Sequence, residues 1–128
     1  MNEARKQEVI DLCQKMIQAK NYSGEEDKVA DVLAKAMKEK GFDDVMVDPY
    51  GNVIGCLKGK KPGKKILFDG HIDTVPVTDE SVWEFPPFAA EIHDDKIYGR
   101  GTSDMKGAVS GFVCAAKNFA EDTNRDFA

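Results

Sequence analysis

The sequence has no run of about 18 apolar residues, the length a helix needs to cross a bilayer, so no membrane role is expected. It also lacks the apolar centre of a secretory leader, because Glu3, Lys6, Glu8, Asp11 and Lys15 are spread through its opening segment. Cysteine is scarce. Cys13, Cys56 and Cys114 are far apart, odd in number and outside any Cys-x-x-Cys spacing, which argues against a disulfide framework and a structural zinc knuckle. All three are expected as reduced core residues. No basic stripe with interleaved aromatics is present, and 23 acids stand against 18 bases for a net charge of -5, so no nucleic-acid partner is expected. The glycine-rich stretches fail as nucleotide sites. Gly59 to Lys65 lacks the Gly-Lys-Ser/Thr that opens a helix in a phosphate loop, and Gly99-x-Gly101 has Asp104 where a dinucleotide fingerprint needs its third glycine. These absences leave a cytoplasmic, globular protein as the expectation.

What is present supports one folded unit. The 128 residues are 41% apolar and 32% charged, with both signs interspersed, a composition that buries a single core. From Arg5 to Lys20, Val9, Leu12, Cys13, Met16 and Ile17 recur at helical spacing. Asn21 and Gly24 break that pattern, and Ser23 with Glu26 has the form of a capping box. A second helix follows with the stripe Val29, Val32, Leu33, Ala36 and Met37, closed by Gly41. Val45–Val47 and Val53–Leu57 read as a hairpin around Pro49 to Asn52. Lys65 to Asp69 has a continuous apolar centre, the pattern of a strand buried on both faces. Ala90–His93 and Lys96–Tyr98 form a second hairpin around Asp94-Asp95. A third helix is expected to begin at Asp104, with the stripe Met105, Ala108, Val109, Phe112, Ala116 and Phe119.

Two places combine metal-ligand residue types with the ends of these elements. In Gly70-His71-Ile72-Asp73-Thr74-Val75-Pro76, extended chain puts His71 and Asp73 on one side. The carboxylate then fixes the tautomer of the imidazole while the other ring nitrogen holds a metal. In Tyr98 to Gly107, a glycine-rich turn delivers Asp104 to a helix start, where free N–H groups leave a carboxylate able to bridge two cations. Each has a plainer reading, as a capped loop end and as an ordinary helix cap. His93 is expected to face solvent, and Trp83 and Phe88 to join the core.

Taken in order, Gly-His-Ile-Asp-Thr-Val-Pro at 70 to 76, Trp83 with Pro87-Phe88, and Tyr-Gly-Arg-Gly-Thr-Ser-Asp-Met-Lys-Gly at 98 to 107 resemble the zinc amidohydrolase and exopeptidase family. That family includes acetylornithine deacetylase, succinyl-diaminopimelate desuccinylase and aminoacylase. The resemblance covers nearly the whole chain. It implies an α/β fold, part of a three-layer α-β-α zinc-exopeptidase-type catalytic domain, with residues 1–128 its amino-terminal portion. A lid or dimerisation domain and the rest of the catalytic domain would lie outside them.

The same resemblance implies two Zn2+ per full-length active site, with Co2+ or Mn2+ as other candidates. His71 would ligate one metal, Asp73 would orient His71, and Asp104 would bridge both metals, with a cis peptide at Asp104-Met105. It further implies hydrolysis of the amide bond of an N-acyl amino acid or small peptide, and a homodimer at full length. The family's Glu-Glu pair, one the general base and one a ligand, follows the third helix and the next strand, and no such pair follows the third helix within residues 1–128. This piece alone is therefore expected to be inactive. The competing expectation is a truncated fragment or paralogue that acts as a non-enzymatic, partner-binding module.

Overall fold

The longest uninterrupted pattern, the charged amino-terminal segment with one apolar stripe, forms helix α1, Glu3–Gln18. Asn2 caps it by accepting from the backbone N–H of Arg5 at 2.9 Å. The computed structural model describes residues 2–20, 24 and 26–127. Leu12, Cys13, Met16 and Ile17 of the expected stripe are buried. Helix α2, Asp27–Glu39, buries Val29, Ala30, Leu33, Ala34 and Met37. Glu26 precedes it without a side-chain cap, and its carboxylate accepts from the N–H of Gly24. Ser23, the other half of the expected capping box, lies outside the described residues. At the far end Gly41 N–H donates to Lys38 and Phe42 N–H to Met37, the paired bonds of a Schellman stop.

Phe42 leads into strand β1, Asp44–Val47, which pairs antiparallel with β2, Val53–Cys56, setting Val45 opposite Gly55 and Val47 opposite Val53. The turn between them is held by Asp48, whose carboxylate accepts from the N–H groups of Tyr50 and Asn52. The second hairpin joins β3, Glu91–His93, to β4, Lys96–Tyr98, with Ile92 opposite Ile97. Helix α3 is Gly107–Asp122.

The three helices share the core. Leu12, Met16, Val29, Leu33, Met37, Val109, Val113 and Cys114 form one cluster, and Phe42, Val45 and Val53 seat the first hairpin against it. A smaller cluster of Cys13, Ile17 and Ala90, with Ile97 beside it, seats the second hairpin on the other flank of α1. Full burial of Met16 or Ile17 contributes about 1.5–3 kcal/mol each. Gln14 and Gln18 add hydrogen bonds from α1 to the carbonyls of Ala90 and Ala89. The architecture is thus mixed helix and sheet, consistent with part of an α/β domain. Among the described residues no helix is long and apolar enough to cross a membrane.

Several elements depart from expectation. Lys65 to Asp69 does not form a strand: among the described residues no strand pairs with it, and Ile66, Leu67 and Phe68 are 81%, 88% and 59% exposed. A strand buried on both faces needs a neighbour at each edge, and the two sheets among the described residues are separate two-stranded hairpins that do not include this segment. Nor does the stretch from Gly59 to Lys65 link two strands. Lys60 and Lys61 instead donate to the carbonyls of Arg125 and Phe127. On α3 the buried face is Val109, Ser110, Val113, Cys114 and Ala120, whereas Ala108 and Phe119 are exposed. Ser110 enters that face because its hydroxyl donates to the carbonyl of Lys106 one turn back, at 2.8 Å. Phe112 and Phe119 find partners at the margins, in Phe68 and Phe127. Of the cysteines, Cys13 and Cys114 are buried and Cys56 is exposed, on the outer face of β2.

A half-buried charge network ties the helices together. Glu8 on α1 meets Lys40 at 3.1 Å and Lys117 at 3.2 Å, and Lys117 also meets Glu121. The hydrogen bond from Lys40, then that from Lys117, holds the Glu8 carboxyl below its ordinary value of 4.5. A carboxyl whose folded value is depressed stabilises the fold above its unfolded value and loses that contribution as pH falls through the folded one. Glu8→Gln is expected to lower stability by about 1 kcal/mol near neutral pH. Denaturant melts should show the difference from the parent shrinking below pH 4.5 and vanishing once Glu8 is protonated.

Candidate functional site

The segment that follows the exposed apolar stretch is held down by the core. Ile72 packs against the three-helix cluster, and Thr74 is buried. Gly70 makes the approach possible, since a Cβ there would lie 3.1 Å from Met105 Cε and 3.2 Å from both Phe112 Cε1 and Val109 Cγ2. His71 is thereby placed at the foot of α3.

Asp104 arrives from the other side on a wide turn, Thr102–Lys106, that runs directly into α3. The turn is built from the backbone outward. Arg100 N–H donates to Pro87, Thr102 N–H and hydroxyl both to Gly99, and Lys106 N–H to Gly101 at 2.9 Å. Gly101 has φ +80°, and a Cβ on it would stand 2.5 Å from Thr74 Cγ2. This contact docks the two site-bearing loops on one another. Lys106 is fully buried: its stem lies beside Gly101, and its ammonium donates to the carbonyl of Met16 at 2.9 Å. That carbonyl belongs to the last turn of α1, where carbonyls lack helical partners. Burial pushes the Lys106 ammonium down to about 8.

The expectation that Asp104 begins the third helix needs correction. Asp104 and Met105 have non-helical backbone angles, φ -132° and -138°, the peptide bond between them is cis, and α3 starts at Gly107. Its carboxylate is therefore aimed by the turn and not by a helix terminus.

The two loops bring the expected residues together. His71 Nε2 lies 2.8 Å from Asp104 Oδ1, and His71 Nδ1 lies 3.0 Å from Asp73 Oδ1 and 3.3 Å from the Asp73 carbonyl. An acceptor at each ring nitrogen favours the doubly protonated imidazole. The hydrogen bond to Asp104, helped by the Asp73 carbonyl, accordingly raises His71 above its ordinary value. His71 and Asp104 are both exposed, so the group opens to solvent.

This donor set fits a divalent cation in part. Two ligand atoms about 2.0–2.2 Å from a tetrahedral ion stand roughly 3.3 Å apart, so a small outward rotation of His71 or Asp104 would admit one between them. An imidazole backed by a carboxylate on its far nitrogen is the usual companion of such an ion. Among the described residues no group of three or more His, Cys, Asp or Glu has the arrangement to hold a metal. The chain thus brings two candidate ligands and one orienting acid.

His93, expected to face solvent, is half-buried: it stacks on Phe85 with centroids 3.8 Å apart and meets Glu91 at 2.8 Å. Trp83 is half-buried under the guanidinium of Arg100, at 4.9 Å. Lys106 and Gly70, which set the geometry, were not singled out from sequence. A lysine among the apolar residues that open α3 was the available signal for the first.

Residues 67–128 match the model of the peptidase family M20/M25/M40. The chain is 40% identical over 114 residues to a succinyl-diaminopimelate desuccinylase of Hydrogenovibrio crunogenus, covering 88% of this chain and 30% of that protein. It is 34% identical over 119 residues to a protein of the same name from Roseobacter denitrificans, covering 91% of this chain and 31% of that one. The chain therefore spans a little under one third of the length of these relatives.

Gly101→Ala is expected to destabilise the protein by about 1–3 kcal/mol, combining left-handed strain with the clash against Thr74. Thermal melts check this. Ser103→Ala, on an exposed residue of the same turn, should leave the midpoint within about 0.5 kcal/mol of the parent.

Proposed function

We propose that the chain, whose residues 67–128 match the model of the peptidase family M20/M25/M40, is the amino-terminal part of a metal-dependent hydrolase acting on the amide bond of a small N-acyl amino acid. The observation that carries this reading is the imidazole of His71 set between the carboxylates of Asp73 and Asp104. The names of the relatives, succinyl-diaminopimelate desuccinylases, favour an N-succinyl amino acid among the possible substrates, with a small peptide as the broader alternative.

On this reading His71 and Asp104 would be the residues of this chain that hold the metal. Zinc suits an imidazole with carboxylates, as do cobalt and manganese. Metal bound there would supply Lewis-acid activation of water and of the amide carbonyl. Asp73 would serve as the orienting acid and not as a ligand. Its carboxylate accepts from Nδ1, so the imidazole presents Nε2 in a fixed direction and as a stronger donor. Thr74 and Gly101 hold the two loops in register, and Lys106 ties the turn to α1. The remaining ligands and the proton acceptor fall, on this reading, in the part of the relatives that the chain does not span.

Residues 1–128 by themselves are expected to bind Zn2+ weakly and to leave N-succinyl-diaminopimelate unhydrolysed. Co2+ added to the isotope-labelled chain should broaden the NMR signals of His71, Asp73 and Asp104 together, and His71→Ala should abolish the effect. Broadening centred on His93 and Glu91, or tight binding of two zinc ions in calorimetry, would contradict the proposal.

A further inference from the structure

The loop before the second hairpin is stitched to the segment that carries Asp104. From 82 to 87 burial alternates: Val82, Glu84 and Pro86 are exposed, Trp83 and Phe85 are half-buried, and Pro87 is buried, the period of extended chain. The three inward residues each meet the stretch around β4. The ring of Trp83 lies under the guanidinium of Arg100 at 4.9 Å, Phe85 stacks on His93 and tilts against Tyr98, and the Pro87 carbonyl accepts from the N–H of Arg100 at 2.7 Å. Arg100 is thus held twice, by its backbone and by its side chain. It also stands between Gly99 and Gly101, whose backbone is free to swing unless something fixes it. Neither glycine has room for a side chain: a Cβ would stand 2.8 Å from Ile17 Cγ2 at Gly99 and 2.5 Å from Thr74 Cγ2 at Gly101. Arg100 is therefore the one residue of this limb with a side chain to anchor it. The carbonyls of Gly99 and Gly101, on either side of it, accept the bonds from Thr102 and Lys106 that shape the turn.

We propose that Arg100, clamped on the ring of Trp83, is a positioning residue that holds the Asp104 carboxylate against His71. This rests on the hydrolase reading, in which those two groups hold the metal, and adds the brace that sets their spacing. A planar guanidinium over an indole face is held in both distance and tilt, which fixes the Arg100 stem and with it the Cα from which Gly101 leaves. Lysine would keep a charge on the ring and lose the plane. The bond to Pro87 uses the backbone alone, so a change of side chain removes the Trp83 contact and leaves that bond in place. Loss of the clamp frees the Gly99–Gly101 limb, tilts the turn, and lets Asp104 drift from its 2.8 Å contact with His71. Arg100 acts through Asp104.

The test uses the isotope-labelled 128-residue chain, with circular dichroism to confirm folding. Trp83 is the only tryptophan, so its emission should change in Arg100→Met, showing the contact in solution. Residual dipolar couplings of the backbone N–H groups give the orientation of the turn without metal. Arg100→Met and Trp83→Leu are each expected to alter the couplings from Gly101 to Lys106 and to leave those of α1 and α2 as in the parent. The two changes together should do no more than either alone, because each removes the same contact. Co2+ binding, read from the broadening of His71 and Asp104, should weaken about tenfold in both, as it does when a group that orients a metal ligand is lost. Arg100→Lys and Trp83→Phe, which keep a cation over a ring, should recover it to within about threefold of the parent. Val45→Ala, which loosens the first hairpin against the core, controls for lost stability and should change neither measurement. Turn couplings unmoved by either variant, an effect shared by Val45→Ala, or additive effects in the double variant would overturn the proposal. The couplings involve no metal, so a parent chain that fails to bind Co2+ counts against the hydrolase reading alone.

Discussion

The geometry around His71 depends on a single buried cation. Lys106 lies three residues before the buried Val109, and its ammonium reaches across to a helix end on a different element. A buried charge is unfavourable unless it is hydrogen-bonded, and the carbonyl at the end of α1 supplies an acceptor that the helix itself leaves over. One bond thereby serves two needs: it closes α1 and it fixes the base of the turn that carries Asp104. Thr74, seated against Gly101 beside the same lysine stem, brings the His71 loop to that base. The candidate site is the visible end of this packing.

Around that anchor the molecule divides its labour between apolar and polar contacts. The helical cluster sets the distances between elements, while ion pairs and turns set their directions. Arg125 illustrates the second: its guanidinium meets Asp43 and donates to the carbonyls of Gly41 and Lys58. It draws the end of α2, the start of the first hairpin and the turn after α3 onto one planar group, a task suited to the fixed fork of arginine.

Much of this was legible in the sequence, and the reasons differ by element. The stripes of α1 and α2 were read closely because their apolar residues follow the period of the helix and have no competing pattern. Both hairpins were readable from Pro49 to Asn52 and from Asp94-Asp95, whose turn chemistry is local. Joining His71, Asp73 and Asp104 required the motifs in order, since no spacing rule spans the 33 residues between His71 and Asp104. Lys65 to Asp69 misled because continuous hydrophobicity reports what a segment needs covered and not whether a neighbour is present. The face of α3 was misread by part of a turn, as Ser110 buries a satisfied hydroxyl that a polarity pattern counts as exposed. Asp104 was assigned to a helix start because aspartate favours that place, whereas the backbone there is irregular until Gly107.

The bond between Lys106 and Met16 joins residues 90 apart, and this separation orders the events of biosynthesis. A ribosome delivers α1 long before the residue that completes it, so the emerging helix waits with an open carboxyl end and an apolar stripe that α2 covers only in part. Only when the Asp104 turn leaves the exit tunnel does the first helix acquire its closing partner. In the nascent chain, α1 is therefore closed only after α2 and both hairpins have emerged.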